Sequence, residues 1–180
     1  MFQAAISDRI YLKLVDGYRS YQLQADLFSY YTQTRGAYYA SIVDDHPGAS
    51  EHQLGLAADI GCWNGACELS YCFTQYPDYT WLKENSWKYG WIERYPEGKQ
   101  SITNIVFSPW HYRYVGIDVA KAVYEKNLTY DEFYMLYLKP WEEGYKPADD
   151  ILKATDFRTA AEAEPEATET PKTEESPKAS

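Results

Sequence analysis

Histidine is scarce in this chain: there are three among 180 residues, beside three cysteines and two methionines. No run of about 18 or more apolar residues occurs, which excludes a membrane-spanning helix. The opening Met1-Phe2-Gln3-Ala4-Ala5-Ile6 has neither the charged start nor the long apolar core of a signal peptide. Positive charge is short too: 17 Lys and Arg face 27 Asp and Glu, for a net charge of −10. A nucleic-acid partner, whose phosphates demand a basic face, is thereby disfavoured. There is no Gly-x-Ser-x-Gly elbow, so a serine hydrolase built on Ser50 or Ser108 lacks its usual support. What is plentiful is apolar and aromatic material, 45% and 17% of the residues, enough for one domain with a real core.

Two of the three histidines fall in the densest motifs. The first is Ser50-Glu51-His52-Gln53-Leu54-Gly55-Leu56-Ala57-Ala58-Asp59-Ile60, the second Ser108-Pro109-Trp110-His111-Tyr112-Arg113-Tyr114-Val115-Gly116. Two imidazoles and a carboxylate suffice as protein ligands for a tetrahedral Zn²⁺ whose fourth position stays open. His52, Asp59 and His111 are therefore the candidate metal ligands. Residues seven apart face opposite ways on a straight strand, so a turn at Gly55 must intervene before a strand begins at Ala58-Asp59-Ile60. His111 sits in an aromatic, β-branched, roughly alternating stretch, Trp110 to Val115, that reads as another strand. His46, in the loop Tyr38 to Gly48, reads as a solvated residue, because a fourth protein ligand would close the open position.

Elsewhere the pattern alternates short strands and helices. Ile10–Val15 reads as a strand ending at the Asp16-Gly17 turn, and Gly90–Tyr95 as another. Tyr21–Tyr31 reads as a helix with Leu23, Leu27 and Tyr30 on one apolar side, followed later by helices at 81–86 and 117–124. Thr129 and Glu132 form a capping box for a last helix reaching Leu138. Cys62, Cys67 and Cys72 are equally spaced, which matches no standard zinc pattern. In an oxidising compartment they allow three single-bridge pairings, and the spacing does not choose among them. Residues 160–180 hold six glutamates and two lysines, repeated Pro and Thr and no aromatic residue. That composition cannot offset its ordering entropy, so 159–180 is expected to be a disordered acidic tail behind a domain at 1–158.

Taken together, Ser-x-His-x-x-Gly-x-Ala-x-Asp-Ile and Pro-Trp-His-Tyr-Arg-Tyr-Val-Gly resemble the VanY-type D-alanyl-D-alanine carboxypeptidases, zinc peptidases that trim peptidoglycan stem peptides. Gly17-Tyr18-Arg19-Ser20-Tyr21 with Gln24, Pro47-Gly48, Tyr89-Gly90-Trp91 and Arg94-Tyr95-Pro96 extend the likeness in order over residues 10 to 138. The resemblance implies an α+β fold, a small and mainly antiparallel sheet flanked by helices, with Zn²⁺ in a cleft on it. It also implies substrate contact or oxyanion support from Arg19, and substrate contacts from Ser20, Gln24 and Ser50. The partner implied is a stem peptide ending in D-alanine, met by a monomer in a bacterial cell envelope or outside the cell. Because such proteins carry helical sequence before the Gly-Tyr-Arg-Ser block, the chain is expected to be truncated at its start. One position departs from the family: where it has a glutamate that moves the proton, this chain has Ser108, and a hydroxyl has no useful basicity near neutral pH. Glu93, where the family is usually apolar, is the candidate compensating base. A slow carboxypeptidase of D,D or L,D type and a zinc-bearing pseudoenzyme that binds without cutting both remain open.

Overall fold

Four short segments rich in aliphatic and aromatic residues pair side by side in the computed structural model, which describes residues 1–139. They are β1 (Leu12–Asp16), β2 (Ala57–Cys62), β3 (Trp91–Glu93) and β4 (His111–Tyr114). Every pairing is antiparallel and the order is β1-β2-β4-β3, as expected of a small antiparallel sheet in an α+β domain.

The central strand β2 is buried along its whole length. Pleating sends Ala58, Ile60 and Cys62 to one face and Ala57, Asp59 and Gly61 to the other. The first set enters the core, where Ala5 of α1 (Phe2–Ser7), Phe73, and Tyr79, Trp81 and Leu82 of α4 (Pro77–Asn85) meet Tyr112 of β4. Ile60, Leu82 and Tyr112 are fully buried, and each aliphatic side chain so removed from water contributes about 1.5–3 kcal/mol. The second set carries the polar chemistry. In β1 the register slips between Leu14 and Asp16, so that Asp16 comes opposite Asp59. Such an irregularity re-aims a side chain next to a site.

Two helices stand over the polar face, α2 (Tyr21–Arg35) and α3 (Ala37–Val43). The expected helix at 21–31 thus forms and continues to Arg35, capped by the Ser20 hydroxyl, which accepts from the Leu23 amide. Its apolar side does not enter the core: Leu23 and Tyr30 are exposed, and the one buried residue is Gln24. Leu23, Leu27 and Tyr31 instead line the cleft. Tyr38 and Tyr39, read as loop from the sequence, belong to α3, so the loop proper starts at Asp44.

The other elements shift by a few residues from the sequence reading. α4 starts at Pro77, whose fixed φ suits a first turn and whose missing amide hydrogen costs nothing there. Gly90 adopts φ +82°, and a Cβ on it would lie 2.7 Å from the Tyr114 ring and 3.0 Å from the Gly116 backbone, so only glycine fits. α5 (Gln100–Thr103), α6 (Ile117–Lys126) and α7 (Tyr130–Phe133) complete the chain, and α7 has both bonds of the Thr129–Glu132 capping box. Beyond Phe133 the last helix loosens into a π turn, Tyr134–Leu138.

Of the three cysteine pairings, the structure takes Cys67–Cys72, with Cα atoms 5.5 Å apart. Cys62 stays a buried thiol, pushed up to about 11 by burial and by the neighbouring Asp78 carboxylate. Among the described residues no helix is long and apolar enough to cross a membrane. The boundary at 158/159 and the expected disordered tail lie outside the described residues.

Candidate metal centre

Register alone assembles half of the site. β2 and β4 pair so that Asp59 lies directly opposite His111, on the polar face of both strands. His52 arrives from the 3-10 turn Glu51–Leu54, which Gly55 closes at φ +69°, the left-handed region that favours glycine. The turn at Gly55 is what reconciles the seven-residue spacing with a shared site.

His52 Nε2 lies 3.5 Å from Asp59 Oδ2, and His111 Nδ1 lies 3.0 Å from Asp59 Oδ1. One donor atom from each residue falls within 4.8 Å of the others. All three side chains are buried. His52 Nδ1 is 2.6 Å from the Gly17 carbonyl oxygen, which can only accept. The proton therefore sits on Nδ1 and the Nε2 lone pair faces Asp59, the orientation a metal requires. His111 Nε2 is buried without a hydrogen bond, as is Glu51 Oε2, and the two face each other at 3.9 Å. Glu51 is in turn held by Arg94 at 2.8 Å and Arg113 at 3.1 Å. A ligand histidine backed by a carboxylate is a common arrangement behind zinc, so this donor set fits the metal.

The charges agree. Burial opposes ionisation of Asp59, but the two imidazoles prevail and hold its carboxyl well below the usual range. Burial likewise works against Glu51, but His111, Arg94 and Arg113 bring it down to about 2. Burial pushes His111 down, yet its bond to Asp59 and the nearby Glu51 carboxylate win and raise it to about 9. This centre is built to hold positive charge between carboxylates.

An acid-stability result follows for the metal-free protein. Glu51 has a folded value of about 2 against 4.5, so its contribution is fully present above 4.5 and is lost as pH falls from 4.5 through 2. A shift of that size corresponds to about 3 kcal/mol. Urea unfolding in chelator from pH 5.5 to 2.5 is expected to show the native chain losing its advantage over Glu51→Gln in that window. A constant gap between the two proteins would contradict the assignment.

Around the donors lies a cleft of about 520 Å³, within the size range of small-ligand sites. α2 and α3 supply one wall, and Leu69, Tyr71 and Trp110 are on the lining as well. Arg19 reaches it almost fully buried, with Nη2 3.9 Å from Asp59 Oδ2. Asp16 Oδ2 accepts from its Nε and Nη2, and Gln24 Oε1 accepts from Nη1 at 2.7 Å. Ser50 is buried on the lining, its hydroxyl without a hydrogen-bond partner among the described residues.

Against these geometric facts stand the relatives. The family profile described as "VanY: D-alanyl-D-alanine carboxypeptidase" matches residues 1–117. The chain belongs to the VanY family. A Bacillus subtilis relative, YodJ, a carboxypeptidase by name, is 40% identical over 134 residues, covering 74% of this chain and 49% of YodJ. A D-alanyl-D-alanine carboxypeptidase of Enterococcus faecalis is 37% identical over 145 residues, 74% of this chain and 51% of its own. The chain thus spans about half the length of these relatives. Among solved structures, the LdcB LD-carboxypeptidase superimposes with TM-score 0.70 at 40% identity, covering 75% of this chain and 63% of LdcB. A Zn(II) complex of a mutant VanY D,D-pentapeptidase gives TM-score 0.63 at 36% identity, covering 74% and 76%.

Placed in this VanY frame, several sequence-derived roles change. Ser20 is exposed and spends its hydroxyl on capping α2, away from the cleft lining. Gln24 is wholly buried behind Arg19, where it bonds Arg19, Asp44 and the Asp45 carbonyl, so its contact with a ligand is indirect. Glu93 is on the other face of the sheet. It pairs with core-facing Tyr112 and accepts from the Tyr79 hydroxyl at 2.9 Å, so strand pleating removes it as a substitute base. Ser108 does line the cleft, but its hydroxyl donates to the Val106 carbonyl. His46 is exposed and packs its ring on Phe28. Sequence reasoning assigned nothing to Glu51, which faces His111, or to Asp45, which lines the cleft. Adjacency to His52 was the available signal for the first, and the Asp-Asp pair ahead of Pro47-Gly48 for the second.

Proposed function

We propose that this chain is a zinc-dependent D,D-carboxypeptidase-like protein acting on peptidoglycan stem peptides that end in D-alanine, with its hydrolysis weakened by Ser108. The observation that carries it is the buried triad His52, Asp59 and His111 at a cleft that also receives Arg19. His52, Asp59 and His111 would hold Zn²⁺, which would supply Lewis acidity toward the scissile carbonyl and the attacking water. Arg19, with its guanidinium braced by Asp16 and Gln24, presents fixed positive charge suited to a terminal carboxylate or a developing oxyanion. Among the described residues the Ser50 hydroxyl has no partner, which leaves it available to the substrate. The family setting supports a place in the cell envelope or outside the cell, and a monomer suffices because every residue invoked comes from one chain.

The second reading is a zinc-bearing pseudoenzyme that binds stem peptides. Ser108 favours it, since its hydroxyl is already committed to Val106 and lacks a base's acidity range. The deciding experiment incubates zinc-loaded protein with a D-Ala-D-Ala stem peptide and follows release of the terminal residue by mass spectrometry. Slow release abolished by a chelator and restored by zinc is the expected result. Retained peptide binding without any release establishes the pseudoenzyme instead.

A further inference from the structure

We propose that Asp45 is the proton carrier of this cleft, delivered by the loop after α3 to serve where position 108 has no carboxylate. The inference rests on the carboxypeptidase reading above and deepens it.

The last turn of α3, from which the loop departs, is tied to the segment that carries Ser108. The Val106 amide donates to the Ile42 carbonyl at 2.8 Å, and the Ser108 amide donates to the Tyr95 carbonyl at 3.0 Å. The same Tyr95 turns its hydroxyl to Asp45 Oδ2 at 3.4 Å and packs its ring against His111, centroids 4.9 Å apart. Tyr95 is thus a common neighbour of Asp45, Ser108 and His111. Asp45 is fixed from behind as well: its carbonyl accepts from Gln24 Nε2 at 2.7 Å, and its amide donates to Asp44 Oδ1 at 3.0 Å.

Among the carboxylates of the cleft lining, the others are occupied. Asp16, Asp44 and Asp59 surround Arg19, and Asp59 also faces both imidazoles. Asp45 lines the cleft and, among the described residues, enters no salt bridge. Among the described residues only its Oδ2 is engaged, and that by a neutral hydroxyl, while Oδ1 takes no hydrogen bond from them. Burial raises its carboxyl above the ordinary aspartate value, with His111 pulling the other way. A carboxylate so placed has more basicity than a free aspartate, which is what general base work near neutral pH asks for.

The step balances without any further reagent. As the water oxygen bonds to the scissile carbonyl carbon, one water proton passes to Asp45 Oδ1. As the C–N bond breaks, that proton passes to the departing amine nitrogen, and the Asp45 carboxylate is regenerated. Arg19 stays charged throughout.

The test uses four zinc-loaded proteins: the native chain, Asp45→Asn, Ser108→Glu and the double variant. For each, kcat and KM on a D-Ala-D-Ala stem peptide are measured beside zinc content and peptide affinity. Asp45→Asn is nearly isosteric, and it is expected to keep zinc and peptide affinity while kcat falls by about 10²-fold or more. Ser108→Glu placed on Asp45→Asn is expected to recover turnover, because the proton again has a carrier. Asp45→Asn cutting as fast as the native chain overturns the proposal. A native chain that is inert while Ser108→Glu cuts also overturns it, and leaves the zinc scaffold of the proposed function standing. If neither cuts with zinc bound, the carboxypeptidase reading falls together with it.

Discussion

Ser108→Glu is expected to raise kcat on a D-Ala-D-Ala stem peptide by about 10²-fold, equivalent to about 2.7 kcal/mol off the barrier. Ser108 is buried in the fold yet lies on the cleft lining, so a longer side chain has room to extend toward the donors. Its backbone is pinned by the Tyr95 carbonyl on one side, and His111 donates its amide to the Ser108 carbonyl on the other, which keeps the new carboxylate close to the metal ligands. The present hydroxyl loses only its bond to Val106. KM and zinc content are expected to stay near the native values, since proton transfer is a transition-state contribution and binding is not. Unchanged kcat in a variant that retains zinc would show that position 108 does not limit turnover.

Arg94→Ala is expected to be the most damaging single substitution outside the metal ligands. Arg94 is a guanidinium only 11% exposed, bonding both Glu51 and Asp131 and lying over the rings of Tyr95 and Tyr130. Removing one partner of a buried pair leaves an uncompensated charge and costs about 3–5 kcal/mol. For a domain of this size that lowers Tm by roughly 10 °C. Glu51 keeps only Arg113, so its hold on His111 slackens and zinc affinity is expected to fall by about 10- to 100-fold, the usual effect of losing support behind a ligand. Arg94→Lys is not expected to rescue, because a point charge cannot bond two carboxylates in a fork. Thermal melts and zinc titration check both numbers. A melt within 2 °C of native, at roughly half a kcal/mol, would contradict them.

The fold and the donors were legible in the sequence for different reasons. Strands at Leu12–Asp16, Ala57–Cys62 and His111–Tyr114 announce themselves by apolar or aromatic runs bounded by glycine, and the Thr129 box states its own helix start. His52, Asp59 and His111 stood out because histidine is so rare. What escaped is set by tertiary packing. Nothing local says that Leu23 faces a cleft, that Tyr38 and Tyr39 are helical, or that Glu93 points into the core. Period-2 alternation gives two faces to β3 without saying which one carries His111, and only the pairing with β4 decides. Nor does anything local say that Asp45 meets Tyr95, fifty positions away in the chain.

The disulfide Cys67–Cys72 closes a small loop, and Leu69, Ser70 and Tyr71 within that loop belong to the cleft lining. One side of the binding cleft is therefore finished by oxidation rather than by burial of a core. A chain kept among reducing thiols can form its sheet and its metal ligands while this rim stays unfastened. Fastening of this rim is then tied to the redox state of the compartment that holds the chain.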